Sequence, residues 1–366
     1  MGESDHEAGN MSPGPDRTGT VARPGREEAQ VAAKLRDVAA LAGVSPRTVS
    51  NVVNDSASVA PATRERVLAA IEELDYRPNL AARQLRQGRT GLIGLAIPEI
   101  GSPYFGELAG LIVEAAQQRG WTVLIDQTQG LADRERRLLS KTGGHTMDGI
   151  IISPWMLAPH EILALAGATP VVTLGELDPQ DAVDHVAIDN VAAAKEVTAH
   201  LIARGARRPA AIGTQPHRRN GTAELRLIGH RQALVDAGLT SRREWEVPVE
   251  SLHRAEGRRA MELLLAGPHH PDAVFCFTDE LALGAVHAIL ARGLRVPEDV
   301  AVAGFDDIED GRYATPGLTT VAPDKHHIAT TALQLLADRI YGRMAQVAPR
   351  RVVSPHQLLP RGSSGG

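Results

Sequence analysis

The stretch whose reading decides the fold is "GVSPRTVSNVVND", residues 43–55. A proline three residues after a glycine reads first as a break in any helix. Its neighbours reverse that reading. Ser45 is a natural N-cap, and Pro46 then takes the first helical position, where a missing N–H costs nothing and a fixed φ helps. The sequence therefore predicts a helix from Ser45 to about Val53, with Val49, Val52 and Val53 turned inward. Upstream, Leu35, Val38, Ala39 and Ala42 share one helical face, and Gly43-Val44 turns the chain. Downstream, "PATRERVLAAIEELDY", residues 61–76, sets Val67, Leu68, Ile71 and Leu74 on an amphipathic stripe. Three short helices over residues 34–76 have the layout of a helix-turn-helix, whose second helix presents its N-terminal residues to a DNA major groove. An ordinary three-helix bundle without a DNA role fits the same residues.

Charge separates the parts of the chain. The 366 residues carry a formal net charge of -5, which alone argues against a nucleic-acid binder. Residues 34–89, however, hold nine Lys and Arg against six Asp and Glu, while residues 1–33 are net -3 and residues 91–366 net -5. A small basic module on a larger acidic body accounts for that division. Residues 1–33, rich in Gly, Pro and charge, predict a disordered tail, as do residues 361–366. Cys276 is the only cysteine, so no intrachain disulfide or Cys-rich metal site is expected. It lies in "AVFCFT", where a buried small hydrophobe is the natural reading. No apolar run of about 18 residues and no signal-peptide pattern is present, so a soluble cytoplasmic protein is expected, without membrane contact.

After Gly91 the texture becomes α/β. "LIGLAI", "WTVLID", "DGIIIS", "PVVTLG", "HVAID", "PAAIG", "AVFCF" and "VAVAGF" read as buried strands separated by helices such as "YFGELAGLIVEAAQQRG". Apolar strands alternating with helices imply parallel sheets covered on both faces. Their number predicts two α/β subdomains over residues 91–360, with the chain crossing near 189, 320 and 343 and a ligand cleft at the strand carboxyl ends. No P-loop, G-x-G-x-x-G after a strand, H-E-x-x-H or G-x-S-x-G occurs. The pairs His269-His270 and His326-His327 read as solvated rather than metal-bound. No catalytic residue, metal or cofactor is expected.

Several segments in fixed order carry a resemblance. "RDVAALAGVSPRTVSNVVN", "TRERVLAAIEELDYRPNLAARQL", "RTGLIGLAIPEIGSPYFGEL", "RLIGHRQALVDAGL", "FTDELALGAVHAIL" and "VAVAGFDDIEDGRYATPGLTTV" are similar to the LacI/GalR family of bacterial transcription regulators, over residues 34 to about 360. The resemblance implies a helix-turn-helix DNA-binding domain followed by a periplasmic-binding-protein-like (type I) domain. It also implies a homodimer, or a tetramer, on a pseudo-palindromic operator in double-stranded DNA.

By position it assigns base contacts to Pro46, Arg47 and Asn51 beside the cap Ser45. Arg47 suits guanine and Asn51 adenine, whereas Pro46 offers apolar contact alone. Thr48, Ser50, Asn54 and Tyr76 fit phosphate contacts, which orient without specifying. In the linker, residues 77–90, Asn79 can cap a turn and Leu80–Leu85 are compatible with a helix, though the residues alone favour a plain linker whose Leu85 docks on the body. The resemblance makes Leu85 a minor-groove wedge, with Ala82 beside it and Arg83 near the backbone.

In the body the resemblance implies a small effector between the subdomains, a sugar foremost. Arg226 would clamp ligand hydroxyls or carboxylates and Asp306 accept from hydroxyls, with Tyr104 and Phe105 as walls. Asn220, Thr222, Trp155 and Asp279 are further candidates. Leu252 stands where many sugar-binding relatives carry a stacking aromatic, a role Trp155 can fill. A structural ion pair for Arg226 and a capping role for Asp306 remain open, as do a purine or other metabolite acting as corepressor and, in another class, a solute-binding protein.

Overall fold

The computed structural model describes residues 33–53, 59–76, 89–142, 147–176, 182–216, 221–343 and 347–365. Asn54, Asn79, Ala82, Arg83, Leu85 and Asn220, together with the tail up to residue 32, lie outside the described residues. The chain divides into two compact units, residues 1–79 and 80–366.

The first unit is three helices: α1 (Leu35–Leu41), α2 (Pro46–Val53) and α3 (Pro61–Glu73). Val38, Ala39, Ala42, Val49, Val52, Val67, Ala70 and Tyr76 form its core. Gly43 sits at φ +63°, which lets the chain turn directly from α1 into α2. On α3 the inward stripe differs from expectation. Leu68 is 49% exposed while Ala70 is buried, because one residue along a helix turns the side chain about 100° away from its neighbour Val67.

The second unit holds two six-stranded sheets. The first contains β1 (Leu92–Ile97), β2 (Thr122–Gln127), β3 (Gly149–Ile152), β4 (Val171–Leu174), β5 (Asp184–Ile188) and β11 (Arg351–Ser354), in the order β11-β5-β4-β3-β1-β2. The second contains β6 (Pro209–Thr214), β7 (Glu246–Pro248), β8 (Ala273–Cys276), β9 (Ala301–Phe305), β10 (Thr319–Pro323) and β12 (His356–Leu359), in the order β12-β10-β9-β8-β6-β7. Every pairing is parallel except that of β12 with β10. Strands β3, β4, β5 and β8 are buried along their whole length, as apolar runs under helices must be. Strand β2 is not: it closes the edge of its sheet, and Leu124 and Ile125 are exposed. Cys276 is buried in β8.

The helices of this unit are α4 (Pro103–Gln117), α5 (Ala132–Thr142), α6 (Pro159–Ala166), α7 (Asn190–Ala203), α8 (Thr222–Asp236), α9 (Arg254–Ala266), α10 (Asp279–Ala291), α11 (Glu309–Tyr313) and α12 (Lys325–Ile340). The chain passes between sheets after β5, after β10, and once more at Pro355 rather than near 343. The last crossing moves because β11 first extends the first sheet beside β5, pairing Arg351 with His185 and Ser354 with Ile188. That junction is fastened by Asp184, which receives Arg339 at 2.9 Å and Arg350 at 3.3 Å. Burial alone would raise the Asp184 pKa, yet bonds from Arg339 and Arg350 hold it below the ordinary range.

The C-terminus also corrects the sequence reading. Residues 361–365 are ordered, with a 3₁₀ turn at Gly362–Ser364. Ser363 donates through Oγ to Val302 O at 2.6 Å and accepts from Thr319 N at 2.8 Å; Ser364 meets Thr319 at 2.7 Å and His200 at 2.8 Å. Small hydroxyl residues look disordered by composition, but here their polar groups are satisfied against the ends of β9 and β10.

Candidate functional site

Two sites arise, one in each unit. On α2 the Ser45 Oγ accepts from Thr48 N at 3.1 Å and lies 2.9 Å from Thr48 Oγ1, so Ser45 caps the helix that Pro46 begins. Val49 and Val52 are buried; Ser45, Pro46 and Arg47 are exposed, and Thr48, Ser50 and Asn51 are half-exposed. Arg47 and Asn51 stand four residues apart on one outer face, the spacing that lets two side chains address neighbouring base pairs. Tyr76 packs into the core of this unit and is 8% exposed.

The second site is a cavity of about 1150 Å³, counting its open mouth, between the two sheets. It is built from loops that follow successive strands, as expected for parallel sheets. After β1 come Glu99 and Ser102, then Tyr104 and Phe105 in the first turn of α4. Their rings meet edge to face, centroids 5.2 Å apart. After β3 comes Trp155, whose backbone N–H donates to Glu135 Oε1 at 2.8 Å. Met156 N and Leu157 N reach the same buried carboxylate at 3.2 and 3.1 Å, so α5 fixes the loop that carries the indole. Glu176 follows β4, Gln215 follows β6, and Leu252 and His253 follow β7. Thr222 and Arg226, one turn apart on α8, line the same wall.

Arg226 is the best-anchored group in the cavity. Its Nε donates to Asn190 Oδ1 at 2.7 Å, and one terminal nitrogen donates to the Phe277 carbonyl. Its guanidinium lies 3.4 Å from the centre of the Phe305 ring, and the other terminal nitrogen stands 3.9 Å from Asp306. Asp306 follows β9 at φ +114°, an unfavourable conformation for a residue with a side chain. It is held there by its N–H to Val321 O at 2.8 Å. Burial raises the Asp306 pKa to about 7, against the lowering effect of Arg226 and Lys325. Burial likewise raises Glu176 to about 7, opposed by Arg226 and by bonds from Asn190 and Ile188. Burial also pushes the Tyr104 phenol above its ordinary range, keeping it neutral.

Across the mouth, His253 joins the subdomains. Its Nε2 lies 2.9 Å from Glu99 and its Nδ1 3.2 Å from Glu280. Glu107 of α4 similarly accepts from Glu309 N at 3.1 Å and pairs with Lys325.

Of the residues the sequence reading names for an effector site, Tyr104, Phe105, Trp155, Thr222, Arg226, Leu252 and Asp306 line one cavity. Asp279 does not. It is fully buried behind the wall, where its carboxylate accepts from Thr320 Oγ1 at 2.6 Å and Ile308 N at 3.0 Å. Burial there raises its pKa well above the carboxylate range. Its neighbour Glu280 faces the cavity instead. Glu99, Glu176, Gln215, His253 and Glu280 were not anticipated; each sits in a strand-end loop or first turn without a motif of its own. Among the described residues, no cluster of His, Cys, Asp and Glu is placed to hold a metal ion, and no helix is long and apolar enough to cross a membrane.

Comparison with known proteins agrees with this architecture. Residues 34–79 match the family model for bacterial regulatory proteins of the lacI family, and residues 198–364 match a periplasmic binding protein-like domain. The HTH-type transcriptional repressor PurR of Erwinia tasmaniensis is 35% identical over 311 residues, 84% of this chain and 90% of that protein. This chain belongs to the LacI family of bacterial regulatory proteins.

Solved structures of LacI-family regulators share its fold. The transcriptional regulator CelR in complex with cellobiose is 33% identical, with a TM-score of 0.67 over 90% of this chain and 99% of that one. The lac repressor dimer bound to operator and the anti-inducer ONPF is 27% identical, with a TM-score of 0.79 over 91% and 99%. The helix-turn-helix match thus falls in the first unit and the binding-protein-like match in the second, and this LacI-family chain is a transcription regulator rather than an enzyme.

Proposed function

We propose that this LacI-family regulator is an operator-binding repressor, released from DNA by a sugar held in the cleft. The observation that carries the reading is the pairing of buried Arg226 and Asp306 inside an aromatic-walled cavity. A planar donor fork, a carboxylate acceptor and flat apolar walls are what a polyhydroxylated ring requires. CelR, with its bound cellobiose, supports the same ligand class. On DNA, Arg47 and Asn51 read base edges, Ser45, Thr48 and Ser50 contact phosphates, and Leu85 wedges the minor groove.

The regulator acts as a dimer. The exposed apolar side chains on edge strand β2, Leu124 and Ile125, support a self-association surface, and the lac repressor relative is a dimer on its operator. The effector moves the two subdomains by binding their two arrangements with different affinity; without that difference it shifts nothing. The chain enters the second unit beside Arg89, which donates to Ile340 O at 2.9 Å, and beside Thr90 and Gly91, whose N–H groups donate to Asp148 at 2.6 and 2.7 Å. A shift of the first sheet therefore moves the linker's exit point directly.

Gel-shift selection from genomic fragments tests the DNA half of this reading. Palindrome-selective binding that weakens steeply with salt is expected. Retention of all fragments equally, or of none, contradicts it.

A further inference from the structure

Gln215 is 6% exposed and lines the cavity immediately after β6. Its Nε2 donates to the Glu250 carbonyl at 3.3 Å, while its Oε1 is buried without a hydrogen-bond partner among the described residues. The orientation of this amide is fixed by chemistry. A carbonyl oxygen can only accept, so the atom facing Glu250 must be the NH₂ and the orphan must be the acceptor. An unmatched buried acceptor weakens the ligand-free fold, and such atoms persist where another molecule completes them.

The surroundings state what that molecule must bring. Further acceptor groups, among them the Asp306 and Glu176 carboxylates, line the same cavity. Arg226 already spends donors on Asn190 and Phe277. Hydroxyls such as Thr222 can take either role, but Gln215 Oε1 can take one only.

We propose that Gln215 is a specificity-determining residue of the effector site, its Oε1 accepting a hydrogen bond from a hydroxyl or N–H of the ligand. The proposal deepens the effector reading above and rests on the cavity being the effector site. A site built around a buried acceptor discriminates strongly, because an analogue lacking the donor leaves the acceptor unpaired in the complex as well. Gln215 therefore selects by the presence of one donor at the β6 side of the cleft, separately from the clamp made by Arg226 and Asp306.

The two possible roles of Gln215 predict opposite signs for one substitution. Gln215→Met keeps the volume and removes both polar groups. If Gln215 serves the ligand, Q215M melts at or above wild type without additive, since an unpaired buried acceptor is gone. If it serves the fold through its bond to Glu250, Q215M melts lower.

The experiment is a thermal-shift series on full-length wild type and Q215M, with no additive and with cellobiose, D-galactose or hypoxanthine. The expected result is an undiminished Tm without additive, together with loss of most of the shift that wild type shows with whichever probe it binds, a drop in affinity of about 100-fold. A Q215M that melts several degrees below wild type, or that retains the full ligand shift, overturns the proposal. Retention of the shift would make Gln215 Oε1 a water-bound group. A shift with hypoxanthine and none with the sugars would overturn the sugar reading, while the fate of that shift in Q215M would still decide the role of Gln215. If no probe shifts wild type, the comparison without additive decides alone.

Discussion

Asp306 holds its place against two costs, a left-handed backbone at φ +114° and a buried carboxylate whose pKa rises to about 7. Burial supplies the upward shift, and Arg226 and Lys325 only moderate it. A carboxyl whose folded pKa exceeds its unfolded value stabilises the fold fully below the unfolded pKa. That contribution is lost as pH rises through the folded value, here about 7. Asp306→Asn stays neutral at every pH. It should melt with wild type at about pH 3, below the unfolded Asp value of about 3.9, and several degrees above it at about pH 8, followed by differential scanning calorimetry. Parallel melting curves across that range would place the raised pKa elsewhere. The same substitution should cost the sugar response, since the amide cannot accept from hydroxyls as an ionised carboxylate does. Greater stability with poorer binding is the signature of a residue kept for its ligand.

At the scale of elements, the helix-turn-helix depends on one backbone conformation. Gly43 has φ +63°, and a Cβ added there meets no atom within 4 Å. The cost of Gly43→Ala is therefore conformational alone, about 1–2 kcal/mol, felt in the first unit and not in the effector domain. Amide hydrogen exchange should show faster opening of α1 and α2 with unchanged protection in β3 and β8; uniform loss across both units would contradict it.

This turn was legible because the cap, the proline and the glycine are local signals. So were the buried strands, whose apolar runs need no partner to be recognised. Strand β2 has the same composition, yet its edge position, and so its exposure, is a property of strand order that no local pattern carries. Strands β7, β10, β11 and β12 escaped because they are three to five residues long and rich in Thr, Pro or polar residues. Moving β11 onto the first sheet carried the last crossing from 343 to Pro355. In the cleft, Arg226 and Asp306 were reached through the resemblance. Glu176, Gln215 and His253 were not, because each gains its role from loops brought together by tertiary packing. Asp279 and Glu280 are adjacent in sequence, and only the direction of the first turn of α10 decides which one faces the cavity.

At the scale of the whole molecule, the proposed mechanism connects the cleft to the chain at Arg89, Thr90 and Gly91 through the first sheet. The Glu99–His253 contact and the Glu107–Glu309 contact span the two subdomains, and under the proposed mechanism they are the pairs that a change of subdomain angle would make or break. In the proposed function the outer face of α2 recognises DNA and the cleft decides when. The most direct test titrates the preformed operator complex, using the fragment selected by gel shift, with the sugar that gives the largest thermal shift. Fluorescence anisotropy is the readout, for wild type and Arg226→Ala. The account predicts that wild type leaves the operator as sugar is added, whereas Arg226→Ala binds the operator with unchanged affinity and needs at least about 100-fold more sugar for release. Release of both proteins at the same sugar concentration, or tighter operator binding by wild type with sugar present, would contradict it.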